Sequence, residues 1–445
     1  LPPPSSAGAN ERTLTIPPAS PTATGTTPLP TPLPAPLAVP AASPVPGALS
    51  IRNGRFLQGD RPFVIKGFNY WSALPLARAG NTAGWDQLRR DLDVLQAAGI
   101  NMLRILGASE GPDSEPFRIV PALQPTPGQY APDSVAGLLR LVAELERRGL
   151  FAILVLNNFW HWSGGMAQYL VWAGQGPIPY PPPQPGGSWG RYQHYAARFY
   201  SSDTARRLFQ DLLRFLVPQL KTSPVVLWEL ANEPRGIDNT TAFHAWIDET
   251  AGLLKTLAPG QLVTTGSEGQ TPSAWSSGTD LVRDHQSPHI DFATFHLWAQ
   301  NWGWIKPDNI ARGFPRAVDK ALAYIDDHAQ RAATLGKPLL LEEFGFPRDG
   351  GSFDPRSPTT WRDRYFQAIY GRVHELMSAS AATPLAGIMP WAWSGNTLPP
   401  RPGELWRPGD PFTGDPPHEL QGWYGIYAHD TTTLRVIQDF AARPR

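Results

Sequence analysis

The chain has 445 residues, with 38 Lys and Arg balanced by 38 Asp and Glu, and no cysteine. Balanced charge excludes the basic excess that attracts nucleic acid or an anionic membrane, and the absence of cysteine excludes disulfides, zinc–thiolate sites and thiol catalysis. Aromatic residues are abundant (17 Trp, 19 Phe and 12 Tyr), and many of the tryptophans stand in polar, glycine-rich stretches that read as loops. Residues 1–47 are dominated by Pro, Ala, Thr and Ser without apolar periodicity. They are expected to form a disordered linker, because such a segment buries too little surface to offset its ordering entropy. The chain opens without a charged and apolar leader, so any secretory signal is expected to be already removed. No apolar run reaches the roughly 18 residues of a membrane span.

From residue 48 to 445 the pattern is that of one catalytic domain. Asn53-Gly54 between short apolar stretches predicts a hairpin over Ser50–Leu57. Apolar runs then follow at Val64–Phe68, Met102–Leu106, Phe151–Leu156, Val225–Leu230, Leu262–Thr265, Phe292–His296, Leu339–Glu343 and Gly387–Trp391. Continuous runs of this length suit strands buried on both faces. Helical spacing lies between them, at Trp85–Ala98, Asp133–Arg148, Asp203–Leu216, Thr240–Leu257, Ala317–Leu335 and Thr360–Met377. A short helix is expected near Asp280–His285, and a closing one at Thr431–Ala441. Eight strands alternating with helices predict an α/β fold, a (β/α)8 TIM barrel with an N-terminal hairpin. A doubly wound sheet would carry a G-x-G loop after its first strand; here Gly67-Phe68-Asn69-Tyr70-Trp71 follows.

In a barrel, chemistry gathers at the C-terminal ends of the strands. Those ends carry Arg104, Asn157-Asn158, Asn232-Glu233-Pro234, Glu268, His296, Glu342-Glu343 and Trp391. Glu233 and Glu343 end the fourth and seventh strands, which face each other across the barrel mouth. Two opposed carboxyls are what glycoside hydrolysis needs, one protonating the leaving oxygen and one attacking the anomeric carbon. Arg104 would hold one carboxyl ionised, and Asn232 could bond a sugar 2-hydroxyl. Strand alternation sends Glu342 and Glu343 to opposite faces, but Leu339–Leu341 are all apolar, so periodicity leaves the register open. Gly107-x-Ser109-x-Gly111 matches a nucleophile elbow, yet loop residues follow it where a helix should begin.

Asn232-Glu233-Pro234 and Glu343-Phe344-Gly345, in order with Arg104, His296 and Trp391, resemble glycoside hydrolase family five. Trp162-Ser163-Gly164-Gly165-Met166, Trp228–Arg235, Thr265–Gly269 and His296-Leu297-Trp298 with Asn301-Trp302 are similar to its β-1,4-mannanase branch. The resemblance implies retaining endo-hydrolysis of mannan, glucomannan or galactomannan, with Glu233 as acid/base and Glu343, directly before Phe344-Gly345, as nucleophile. Alternatives are an exo-β-mannosidase or β-1,4-glucanase of the same family, or a non-catalytic carbohydrate-binding barrel. Arg104, Asn158, Asn232, His296, Trp298, Trp391, Glu268, Trp71, Trp162 and Trp302 are the expected substrate-binding residues, with Trp393 the alternative to Trp391. Two departures stand out: Trp298 replaces a family tyrosine, and Asn157-Asn158 replace a histidine seen in the cellulase branches. The expected partner is a β-mannan or its oligosaccharides, acted on by a monomer outside the cell or tethered to its surface, without cofactor, metal or nucleic acid.

Overall fold

The computed structural model describes residues 45–379 and 383–443. Residues 1–44, most of the expected linker, lie outside that range. Strands β1 (Leu49–Arg52) and β2 (Arg55–Gln58) form the predicted hairpin, and β3 (Arg61–Pro62) extends it. The parallel sheet follows as β4 (Ile65–Asn69), β5 (Met102–Leu106), β6 (Phe151–Val155), β7 (Val226–Glu229), β8 (Val263–Thr264), β9 (Ala293–Leu297), β10 (Leu339–Phe344) and β11 (Leu385–Ile388). Its order, β8-β7-β6-β5-β4-β11-β10-β9, leaves β8 and β9 to meet. The Asp291 amide donates to Val263 O at 2.8 Å and the Thr264 hydroxyl to Phe292 O at 2.9 Å, closing the barrel. The fold is the (β/α)8 barrel that the alternation predicts.

All residues of β5, β6, β9 and β10 are buried, as expected where helices cover the outside and side chains fill the inside. The last barrel strand is displaced from its expected place, because Pro390 has no amide to continue a ladder, and Trp391 stands beyond the strand end. Two short chain segments, β12 (Trp393–Gly395) and β13 (Ile426–Tyr427), pair and root a long loop over 396–425. Helices at Ala73–Ala77, Gly165–Trp172 and Trp189–Ala197 were not expected. The second is buried from Gly165 to Leu170, so it lacks the polar face that creates a readable period.

The stretch after β5 forms no elbow. The Ser109 hydroxyl accepts the Leu123 amide, and no helix begins there. Beside it, Glu110 accepts the Gly165 amide at 2.9 Å and the Tyr169 hydroxyl at 3.3 Å, tying this loop to the helix Gly165–Trp172. Burial raises its carboxyl to about 8. A raised carboxyl contributes stability that is complete below the unfolded value near 4.5 and is lost as pH climbs toward 8. Glu110→Gln should therefore flatten the fall in stability between pH 5 and 8, each unit being worth up to about 1.4 kcal/mol. Denaturant titration at both pH values checks this; parallel curves for wild type and variant would contradict it.

Candidate active site

Arg104, on β5, organises the floor of the site. Its guanidinium donates to both oxygens of Glu229 at 2.7 and 2.6 Å, to Asn232 Oδ1 at 2.8 Å, to Asn69 Oδ1 at 3.1 Å and to Glu343 Oε1. It is buried, and no other side chain could meet those acceptors with one rigid fork. Glu229 is thus the deep structural partner that its place on β7 suggests.

Glu233 follows β7 with φ +49°, a left-handed conformation that β-carbon-bearing residues avoid. Its amide is pinned to Gly266 O at 3.0 Å. Gly266 itself has φ +76°, and an added β-carbon would collide with Ala231 O and Glu229 Oε1. The Glu233 carboxylate accepts from Trp160 Nε1 at 2.6 Å and faces His296 Nδ1 at 2.7 Å. Trp160 is in turn covered by Arg235, whose guanidinium lies 4.9 Å from the ring and is clamped by Glu268 at 2.6 and 2.9 Å.

Glu343 reaches the same space from β10. A register shift between Leu341 and Glu343 breaks the alternation against β9. Strand alternation predicts opposite faces for Glu342 and Glu343; the bulge instead brings both within reach of Arg104 and His296. Glu342 stays beneath, fully buried, while Glu343 lines the pocket. A carboxylate oxygen of Glu233, one of Glu343 and a ring nitrogen of His296 lie within 4.8 Å of one another.

Five buried carboxyls (Glu229, Glu233, Glu268, Glu342 and Glu343) surround two arginines and His296, so the cluster holds protons even with the histidine charged. Burial raises Glu343 to about 7 against the pull of His296 and Arg104. For Glu233 burial also acts upward, but the hydrogen bond and charge of His296 outweigh it and bring the group to about 2. His296 is pushed well above its ordinary value: burial opposes this, and the Glu343 charge and the Glu233 hydrogen bond prevail. The cluster thus favours a charged His296, one hydrogen bond from Glu233.

The pocket above is open on one side and is walled by Trp160, Trp162, Trp298, Trp391, Tyr424, Asn232, Asn301 and the loop residues Pro416, His418 and Glu419, with the two glutamates. Of the expected substrate contacts, Asn232, Trp162, Trp298 and Trp391 line it, and Trp393 packs instead against Phe68. Arg104 and His296 act from below. Four others do not line it. Glu268 spends both oxygens on Arg235. Asn158 is used internally, accepting the Trp160 amide and the Asn232 side chain and donating to Ser163. Trp71 donates to Gly414 O and packs behind Trp162. Trp302 packs on Trp304 and Tyr324 and remains partly exposed.

The loop 396–425 supplies what sequence reasoning missed. Asp415 accepts the amides of Gly422, Tyr424 and Gly425 at 2.7 to 3.1 Å, fixing the loop's path. His418 lies parallel to Trp162, and both its ring nitrogens and Glu419 Oε2 are buried without partners. Burial raises Glu419 to about 8, keeping it a neutral carboxyl able to donate to a hydroxyl. The only signal in the sequence was a concentration of proline, glycine and aromatic residues between the last strand and the closing helix.

Residues 48–444 match the family model described as GH family 5 beta-mannosidase-like. Among solved structures, the chain is similar to the glycoside hydrolase family 5 mannosidase from Rhizomucor miehei. The identity is 31%, the TM-score 0.80, and the match covers 90% of this chain and 98% of that one. A glutamate-to-alanine variant of the same mannosidase, in complex with mannosyl-fructose, matches at TM-score 0.78 over 89% of this chain and 97% of that one, again at 31% identity. Among curated proteins, a putative mannan endo-1,4-beta-mannosidase 9 of Oryza sativa subsp. japonica is 29% identical over 361 residues, 76% of this chain and 79% of the relative. The chain is a glycoside hydrolase and belongs to the beta-mannosidase-like group of glycoside hydrolase family 5.

Proposed function

We propose that the protein hydrolyses β-1,4-mannosidic bonds within mannan, glucomannan or galactomannan, with retention of anomeric configuration. The observation that carries the reading is that one carboxylate oxygen of Glu233 and one of Glu343 lie within 4.8 Å of each other. Inverting enzymes space their carboxyls about 6.5 to 9.5 Å apart to admit a water, and retaining ones about 5 to 5.5 Å. Glu343 attacks the anomeric carbon as Glu233 protonates the glycosidic oxygen, releasing the leaving chain and forming a glycosyl ester. Water, deprotonated by Glu233, then breaks that ester and frees Glu343. Glu233 shares the proton of the first step with His296 along their 2.7 Å contact, and the proton taken from water restores it. Arg104 supports Glu343 as it regains its charge.

A second reading, removal of single sugars from the chain end, is favoured by the wall of Pro416, His418 and Glu419 over the pocket. Incubation with mannan, glucomannan and carboxymethylcellulose, followed by product sizing from mannohexaose, tests both. Internal cleavage gives di- to tetrasaccharides from the start; terminal removal gives mannose and mannopentaose first. Mannan left intact while carboxymethylcellulose is cut would overturn the mannan assignment.

A further inference from the structure

Trp275 is 87% exposed, far more than any other large apolar side chain among the described residues. It stands on the short helix Ala274–Ser277, in the loop that leaves the C-terminal end of β8, so it lies on the face of the barrel that holds the glutamates. So exposed a ring gains little for the fold by being there.

The mount beneath it is rigid. The Ile237 amide donates to Ser277 O at 2.9 Å. Gly278, with φ +65°, runs so close that an added β-carbon would stand 2.5 Å from the Ile237 nitrogen, and one on Gly236 would stand 2.8 Å from Gly278 O. The helix is thus fastened backbone to backbone onto the loop that carries Glu233, four residues from it, a chain reach of at most about 14 Å. The proton donor of a retaining glycosidase stands beside the leaving oxygen, so the loop of Glu233 marks the leaving side of the substrate.

We propose that Trp275 is a stacking platform for a sugar in the leaving part of the chain, beyond the bond that is cut. This rests on Glu233 being the proton donor. A β-linked pyranose presents a flat patch of C–H groups on one face, which suits an exposed indole held still by its support. The residue would then favour long substrates over short ones without touching the reacting sugar.

Trp275→Ala and Trp275→Phe test this with mannobiose, mannohexaose, mannan and an aryl β-mannoside. Alanine should lower kcat/KM on mannohexaose and mannan about three- to tenfold, leave mannobiose and the aryl mannoside unchanged, and be partly rescued by phenylalanine. Equal values on all substrates, or an equal loss on all, would overturn the proposal. Retention of Glu343→Ala on insoluble mannan, xylan and cellulose, with and without Trp275→Ala, gives a readout independent of turnover. Retention that Trp275→Ala weakens supports the platform even if mannosides prove not to be cut, which would overturn the proposed function alone; retention unchanged by Trp275→Ala on every polymer would overturn the platform.

Discussion

Glu343→Ala is expected to stop turnover on mannan, and Glu233→Ala to slow it by about 10²- to 10⁴-fold, the usual worth of one positioned acid/base group. The two losses should differ in kind. A dinitrophenyl β-mannoside needs no proton on its leaving group, so Glu233→Ala should still form the glycosyl ester and then stall. Azide can replace the missing nucleophile in Glu343→Ala, giving the α-mannosyl azide, or attack the ester in Glu233→Ala, giving the β-anomer. The anomer recovered identifies each role directly. Full activity in Glu343→Ala, with loss confined to Glu342→Gln, would sink the assignment of the nucleophile.

Arg104→Met is expected to cost about 3 to 5 kcal/mol of stability together with nearly all activity, because it leaves buried carboxylates without their cation. The side chain serves Glu229, Glu343, Asn69 and Asn232 at once. Arg104→Lys should recover only part of this, since an ammonium lacks the planar fork. Adding Glu229→Gln to Arg104→Met should restore some stability by removing one stranded charge, yet return no activity, because Glu343 remains unsupported. Chemical denaturation of the three variants measures this. A loss below about 1 kcal/mol in Arg104→Met would show that the carboxyls simply take up protons in its absence.

The barrel was legible because buried parallel strands leave continuous apolar runs, and the eight runs survive with small shifts. Glu233 was legible because Asn232-Glu233-Pro234 ends such a run. The choice of Glu343 came from family likeness, and a reader of periodicity alone would have no means to make it, since a bulge has no signature in Leu339–Glu343. Glu268 shows the opposite failure: a carboxylate at a strand end looks functional until its arginine is seen, and Arg235 is distant in sequence. Likewise Trp71 resembles a sugar platform by composition, whereas its neighbours bury it. His418 and Glu419 escaped because loop residues carry no period and reach the pocket only through the turns fixed by Asp415.

The left-handed backbone of Glu233 sets folding against chemistry at one position. A residue without a β-carbon would relieve that backbone cost of about 1 to 2 kcal/mol, at the loss of the Trp160 and His296 contacts. Natural drift toward greater heat resistance, or a laboratory screen that rewards survival of the fold alone, would therefore tend to erase the proton donor first. Only a selection that also demands sugar release can keep glutamate at this place, and thermostabilised descendants of this chain should be chosen under both pressures at once.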